Sequence, residues 1–209
     1  MPSALVFDFN GTLSDDEPVM CEIFRTLFAE HGKPLTEREY YDDLAGLSDP
    51  EIVRTWLGAD HPDVDAVIQE RIDRYRTAVG DGSTVHEHVR EAVRYAAAQV
   101  PLAICSGAAR VEIEPVIEAA GIADCFRAIV SSDDVVRGKP DPEGYLAALD
   151  ALGTRDALVF EDTEAGIAAA KAAGLRVIAR VGTLEPDRLR QADELVERID
   201  ADLIRRCLS

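Results

Sequence analysis

The chain of 209 residues has few basic residues, few aromatic residues and no long apolar run. Only 22 lysines and arginines stand against 40 acidic residues, so the net charge is −18. This balance disfavours nucleic acids and anionic membranes as partners, because both attract clustered basic residues. No apolar stretch is long enough to span a membrane, and the amino terminus lacks the basic start of a signal peptide. We therefore expect a cytoplasmic protein with no nucleic-acid or membrane partner.

Cysteine and lysine are also scarce. The four cysteines are far apart and form no Cys-x-x-Cys pair, which predicts reduced thiols and neither a disulfide framework nor a zinc site. The three lysines are Lys33, Lys139 and Lys171, and the second of them is held between a glycine and a proline. A lone lysine in such a rigid setting is a candidate for a fixed role.

Short apolar runs recur between segments with helical periodicity. Runs of this length without polar alternation are typical of strands that are covered on both faces. The alternation of strand and helix predicts an α/β fold with a Rossmann-like parallel sheet. The predicted strands are Ala4 to Phe7, Pro101 to Cys105, Ala128 to Val130, Ala157 to Phe160, Leu175 to Ala179 and a last short strand near Leu195.

One long segment departs from this alternation and contains several helical patterns without a convincing buried strand. Thr36 with Glu39 and Ser48 with Glu51 have the spacing of helix-capping boxes within it. We expect an α-helical cap domain at residues 15–81, inserted into a core domain made of residues 1–14 and 82–209.

Polar side chains follow four of the predicted strands. Asp8, Asn10 and Gly11 follow the first strand, and Ser106 with Gly107 follows the second. Lys139 follows the third, and the pair Glu161 and Asp162 ends the fourth. Each of these has an ordinary structural explanation when it is taken alone, as a turn residue, a helix cap or a solvated charge. In a parallel sheet, however, all four groups would meet at one edge, where α/β proteins place their sites.

This constellation resembles the haloacid dehalogenase superfamily, and more narrowly its capped phosphatases and the β-phosphoglucomutase-like group. The resemblance spans nearly the whole chain, and it is specific because several motifs occur together. The matching segments are Asp8-Phe9-Asn10-Gly11-Thr12, Asp15-Asp16-Glu17-Pro18, Ser106-Gly107, Gly138-Lys139-Pro140-Asp141-Pro142 and Glu161-Asp162-Thr163-Glu164-Ala165-Gly166-Ile167.

The resemblance implies a nucleophile and a metal ion. Asp8 would attack a phosphoryl group and form an aspartyl-phosphate, which water then hydrolyses. Two anions must approach each other in this step, so a cation is needed. The resemblance assigns Mg²⁺ to oxygen ligands from Asp8, Asp162, Glu161 and the backbone carbonyl of Asn10.

The resemblance also implies the groups that hold the phosphate. Lys139 would contact both Asp8 and the phosphoryl oxygens. Ser106 and the backbone amides around Asn10, Gly11 and Gly107 would hold the remaining oxygens. The expected partner is a small phosphorylated metabolite, and we expect a monomer or a homodimer.

Asn10 departs from the family's pattern, because most phosphatases of this group carry a second aspartate there as general acid and base. An amide can donate a hydrogen bond but cannot transfer a proton near neutral pH. A substrate whose leaving group needs no proton, another acid, or a weakened variant would each explain it. The cap-entry acids Asp15, Asp16 and Glu17 are the nearest substitutes, although Asp15 matches a common family residue and is better explained as structural.

Three further residues bear on the function. Asp49 stands where β-phosphoglucomutase has a basic residue, and an acid there would repel a second phosphate. His86 and His88 are two residues apart, and on a helix their side chains would point away from each other. The sequence therefore predicts a Mg²⁺-dependent phosphoric-monoester hydrolase, slow or specialised because of Asn10. A catalytically silent binding protein remains the alternative, and a phosphomutase is a weaker one.

Overall fold

The computed structural model describes residues 1–209 and has one six-stranded sheet at its centre. The strand order is β3-β2-β1-β4-β5-β6, and every neighbouring pair is parallel. This confirms the predicted Rossmann-like α/β fold. The strands are β1 Ala4–Phe7, β2 Leu102–Cys105, β3 Phe126–Val130, β4 Ala157–Glu161, β5 Arg176–Arg180 and β6 Glu194–Val196.

The centre of the sheet is apolar because the helices bury it. Every residue of β1, β2 and β4 is buried. Phe7 pairs with Ile104 on one side and Phe160 on the other, and its ring stacks on that of Phe160 with 4.8 Å between the centroids. Burial of one such side chain contributes about 1.5–3 kcal/mol. The central strands therefore form a rigid base for the loops that follow them.

Five helices alternate with the later strands. Helix α7 packs against β2 and β3, α8 packs against β4 and β5, and α5 packs against α9. Gly153 ends α7 in a left-handed conformation with φ of +71°, which a residue without a Cβ adopts at little cost. The helices are α5 Glu87–Ala97, α6 Arg110–Ala119, α7 Glu143–Leu152, α8 Glu164–Ala172 and α9 Ala201–Cys207.

Four helices lie between β1 and α5, in the segment for which the sequence predicts a cap. Glu39 and Thr36 form a complete capping box, and the Glu51 carboxylate accepts the backbone N–H of Ser48 at 2.9 Å. Helix α4 packs against α1 and α3 and also contacts α6 of the core. The division at residues 15–81 stays a prediction. The helices are α1 Glu17–Glu30, α2 Glu37–Glu39, α3 Asp49–Leu57 and α4 Val64–Val79, with a π-helical turn over Tyr40–Leu44.

Two expectations about cysteines and membranes can be compared with this fold. All four cysteines are free thiols. None of the helices combines the length and the apolar character that crossing a membrane requires.

Candidate active site

Four polar side chains from the ends of three strands meet at the carboxyl edge of the sheet. Asp8 directly follows β1, and its backbone N–H still bonds to the carbonyl of Phe160 at 2.9 Å. The Lys139 ammonium comes from the loop after β3 and lies 2.5 Å from Asp8 Oδ1 and 2.5 Å from Glu161 Oε1. Asp162 follows Glu161, and carboxylate oxygens of these three acids lie within 4.8 Å of one another. The structure thus brings these four residues together at one edge of the sheet, as their positions at strand ends predict.

Glu161 is occupied by protein donors. Its Oε1 accepts hydrogen bonds from Lys139 and from the Tyr145 hydroxyl at 2.8 Å. Its Oε2 accepts the backbone N–H groups of Asp162 and Thr163 and the Thr163 hydroxyl. Burial alone would raise the pKa of Glu161, but the charge and hydrogen bond of Lys139 outweigh it and hold that pKa below its ordinary value. Glu161 is therefore a fixed anion that positions the Lys139 ammonium.

Asp8 and Asp162 lack enough positive charge around them to ionise as readily as free carboxyl groups. Burial raises the pKa of Asp8 to about 8, against the attraction of Lys139 and with the repulsion of Glu161. Burial, followed by repulsion from Asp8 and Glu161, raises the pKa of Asp162 well above its ordinary range. Three buried carboxylates face one ammonium group. Such a surplus of negative oxygen ligands fits a divalent hard cation such as Mg²⁺.

Two glycines make room for these carboxylates. Gly11 has φ of +69°, and a Cβ there would overlap the carboxylate of Asp162 and approach the hydroxyl of Thr183. A Cβ at Gly166 would overlap the carboxylate of Glu161. These positions need glycine because the backbone approaches the acids so closely. The loop after β1 and the start of α8 are therefore shaped around the acidic cluster.

Ser106 and Gly107 lie at the neighbouring strand end. Because Phe7 pairs with Ile104, the end of β2 is beside the end of β1. The buried Ser106 hydroxyl oxygen accepts the backbone N–H of Ala108 at 3.1 Å, and Gly107 is exposed. The phosphate contacts of Ser106 and Gly107 stay predictions. Both residues lie beside Asp8, which is where a phosphate-binding role requires them.

The side chain of Asn10 faces the start of the cap segment. Its amide Nδ2 lies 2.9 Å from Asp16 Oδ2 and 3.2 Å from the Tyr75 hydroxyl oxygen. Asp16 is fully buried and also accepts the Gly11 backbone N–H at 3.1 Å and the Tyr75 hydroxyl. Burial raises the pKa of Asp16, and the hydrogen bonds from these groups oppose that rise. Of the three nearby acids, Asp16 is therefore the one in contact with Asn10.

The other two cap-entry acids have different partners. Asp15 binds Arg180 at 2.8 Å and His86 at 3.0 Å, in agreement with the structural role expected for it. Glu17 accepts the Tyr40 hydroxyl at 2.9 Å. Burial raises the pKa of Glu17 to about 7, although the Tyr40 hydrogen bond opposes the rise. Neither acid has a hydrogen bond to Asn10.

The profile of the haloacid dehalogenase-like hydrolases matches residues 5–180. The chain belongs to the haloacid dehalogenase-like hydrolase family. The match covers Asp8, Lys139 and Asp162 together, so the predicted resemblance to this family is confirmed.

Individual relatives of this hydrolase include named phosphatases. Validoxylamine A 7'-phosphate phosphatase of Streptomyces hygroscopicus subsp. limoneus is 31% identical and covers 94% of this chain and 94% of its own length. Protein CbbY of Rhodobacter capsulatus is 33% identical over 84% of this chain and 83% of its own. The relatives support phosphoric-monoester hydrolysis, and this chain is an enzyme of the phosphatase type.

A solved structure gives the same picture of the fold. CbbY of Rhodobacter sphaeroides, as an aspartate-to-asparagine variant in complex with xylulose 1,5-bisphosphate, superposes with a TM-score of 0.84. The identity is 26%, and the match covers 97% of this chain and 96% of the other. The similarity therefore extends across both the sheet and the helices between β1 and α5 of this hydrolase.

This hydrolase contains a second charge cluster, which the sequence did not predict. Arg71 of α4 contacts Asp49 at the start of α3 and Glu112 near the start of α6. Asp49 is thus paired with an arginine, which offsets the negative charge that is expected to repel a second phosphate. Helical periodicity assigns residues to helix faces but does not say which helices meet, so no sequence signal marks this cluster.

Other misses have clearer signals. Thr183 follows β5 and donates its hydroxyl hydrogen bond to Asp162, so the strand-end rule applied to the fifth strand finds it. The prediction that His86 and His88 point apart is wrong, since their rings stack with 5.6 Å between centroids. The reason is that His86 precedes α5 and has an extended backbone, so helical geometry does not apply to it.

Proposed function

We propose that this hydrolase removes a phosphoryl group from a small cytoplasmic metabolite through an aspartyl-phosphate on Asp8, with Mg²⁺ as cofactor. The observation that carries the proposal is the contact of the Lys139 ammonium with Asp8, beside the acids Glu161 and Asp162, at the edge of the sheet. A nucleophilic carboxylate needs such a partner to remain ionised when it is buried.

The reaction would proceed in two steps. In the first, Asp8 Oδ2, which is not bonded to Lys139, attacks phosphorus, and the bond to the leaving oxygen breaks with its electron pair on that oxygen. In the second, water attacks phosphorus, the Asp8 carboxylate departs, and the proton lost by water ends on the released phosphate. Lys139 holds Asp8 in place and balances charge on the phosphoryl oxygens in both steps.

Mg²⁺ would be held by Asp8 and Asp162, with the backbone carbonyl of Asn10 as a further oxygen ligand. Bound there, the ion supplies positive charge that offsets repulsion between the nucleophile and the phosphate. Glu161 belongs to the same acidic cluster, and its contacts with Lys139 and Tyr145 favour a positioning role over direct ligation. The chain's own part is to fix these oxygens before substrate arrives.

The remaining phosphoryl oxygens would be held at the two central strand ends. The Ser106 hydroxyl and the backbone amides of Gly11 and Gly107 would donate these hydrogen bonds, because they follow the adjacent strands β1 and β2. The helices α1 to α4 would cover the substrate, exclude water during transfer and select the metabolite.

The first test is hydrolysis of p-nitrophenyl phosphate with Mg²⁺ and with EDTA. We expect turnover that requires the metal, and a loss of about 10⁴-fold or more in Asp8→Asn, because no other group can take over the nucleophile. Asp43→Asn is the control, since Asp43 is an exposed cap acid outside the cluster.

Two results would contradict the proposal. Full activity in EDTA would remove the metal, and native activity in Asp8→Asn would remove the nucleophile. A native protein that binds Mg²⁺ and phosphate by calorimetry but turns over no phosphate ester or anhydride would instead support the silent binding protein.

A further inference from the structure

The Asn10 amide is locked in one orientation by its neighbours. Nδ2 lies 2.9 Å from Asp16 Oδ2 and 3.2 Å from the Tyr75 hydroxyl oxygen, and these two oxygens are hydrogen-bonded to each other, so they face the same one of the two Nδ2 hydrogens. An asparagine amide has only these two hydrogens to donate. One of them is therefore held inside the protein, and neither can be released to a substrate as a proton near neutral pH.

The contacts of Asp16 oppose rotation of the Asn10 amide. It is fully buried and accepts hydrogen bonds from the Gly11 backbone and the Tyr75 hydroxyl as well. If the Asn10 amide were rotated by half a turn, its carbonyl oxygen would face the Asp16 carboxylate, acceptor against acceptor. Asp16 and Tyr75 thus fix the orientation of the Asn10 amide, which can hydrogen-bond to a substrate but cannot give it a proton.

The surrounding acids do not replace the missing donor by any contact in the structure. Glu161 is bonded to Lys139 and Tyr145, and Asp16 is directed at Asn10. Glu17 accepts its hydrogen bond from Tyr40. The leaving oxygen of a substrate would therefore depart without receiving a proton from a side chain.

From this geometry we infer that the enzyme is specific for phosphoryl groups carried on an acidic oxygen, that of a carboxylic acid, phenol or enol, and discriminates against alkyl phosphates. The inference rests on the proposed function of the Asp8 site. For an acyl phosphate, Asp8 gains the phosphoryl group and the substrate leaves as a carboxylate anion. Water then releases phosphate from Asp8 and supplies the proton that the phosphate retains, so no proton is required on the leaving oxygen.

The experiment compares leaving groups. The probes are acetyl phosphate, p-nitrophenyl phosphate, phenyl phosphate and glycerol 3-phosphate, each measured as kcat/KM with Mg²⁺. Carboxylic acids have pKa values of about 4 and phenols of about 10, so the series is graded in leaving-group acidity. We expect kcat/KM to fall steeply along it, by about 10²–10⁴ from the acyl to the alkyl phosphate, which is the usual contribution of a positioned acid.

The decisive variant exchanges the two side chains as Asn10→Asp with Asp16→Asn. It keeps an amide and a carboxylate in contact but moves the carboxyl group to the substrate side. We expect the alkyl-to-acyl ratio of kcat/KM to rise by about 10²–10⁴. Asn10→Asp alone places two acceptors against each other and should raise the ratio less. Thermal unfolding confirms that each variant is folded.

The outcomes separate this inference from the proposed function. Equal kcat/KM for alkyl and acyl phosphates in the native enzyme, or an unchanged ratio in the exchanged variant, would overturn the inference while leaving metal-dependent turnover intact. A steeper series in Glu17→Gln than in the native enzyme would identify Glu17 as a proton donor and also overturn it. No turnover of any probe by the native chain would overturn the proposed function itself.

Discussion

Two charge clusters in this hydrolase are built alike but have different consequences. In each, one basic side chain lies between two carboxylates. Lys139 contacts Asp8 and Glu161 at the edge of the sheet. Arg71 contacts Asp49 and Glu112 where the helices between β1 and α5 meet the core.

The two clusters differ in the elements that supply their residues and in the number of carboxylates for each basic group. The Lys139 cluster is built from loops after parallel strands, and Asp162 adds a further acid to it. The Arg71 cluster joins α3, α4 and α6, and its guanidinium is shared between the two acids. A surplus of anionic oxygen at a sheet edge leaves positions for a ligand, whereas a shared planar guanidinium ties elements together. We therefore expect one cluster to control activity and the other to control stability.

Removal of Arg71 should have the largest effect on stability. Arg71→Met leaves the buried carboxylate of Glu112 and the half-buried carboxylate of Asp49 without a cation, which costs about 3–5 kcal/mol. The measurement is the free energy of unfolding from urea denaturation at neutral pH. Arg74→Met on the same helix is the control, because Arg74 pairs with the more exposed Glu30 and Glu70, and such pairs contribute about 0–1 kcal/mol. Equal losses in the two variants would show that the Arg71 cluster is not a structural tie.

Removal of Lys139 should act on the reaction. Lys139→Met takes away the ammonium that holds Asp8 and would balance the phosphoryl oxygens, and we expect kcat/KM to fall about 10²–10³-fold. Lys171→Met is the matched control, since Lys171 pairs with Asp193 at the surface, far from the acids of the site. Turnover of p-nitrophenyl phosphate with saturating Mg²⁺ measures both. If Lys139→Met kept the native rate, the ammonium would have no part in phosphoryl transfer.

The same contrast explains what the sequence could predict. The predicted strands occur within one or two residues of the observed ones, because a buried parallel strand is recognisable as an apolar run. Arg127 interrupts such a run, which is why β3 begins earlier than predicted. Asp8, Lys139 and Asp162 could be brought together from sequence because strand ends of one parallel sheet share an edge. The contacts of Arg71 and Tyr75 could not, because they depend on how helices distant in sequence pack against each other.

Glu17 sharpens the comparison as a half-buried carboxyl group with no cation in contact. Burial raises its pKa from the ordinary 4.5 to about 7, against the Tyr40 hydrogen bond. A carboxyl whose pKa is higher in the folded state stabilises the fold less as it ionises. The free energy of unfolding should therefore fall as the pH rises from about 4.5 to 7 and stay at the lower value above that.

Glu17→Gln should remove this part of the pH dependence. Glutamine keeps an oxygen that can accept the Tyr40 hydroxyl, but it cannot ionise. We expect the free energy of unfolding of Glu17→Gln to exceed that of the native protein by about 1–3 kcal/mol at pH 8, because Glu17 is only partly shielded from water. This difference should shrink toward zero near pH 4. Urea denaturation in EDTA across this range measures it without any effect of bound metal. If the free energy of unfolding varied with pH in the same way in both proteins, the Glu17 carboxyl would titrate as it does in the unfolded chain. An acid in this position would then need no cation to remain ionised.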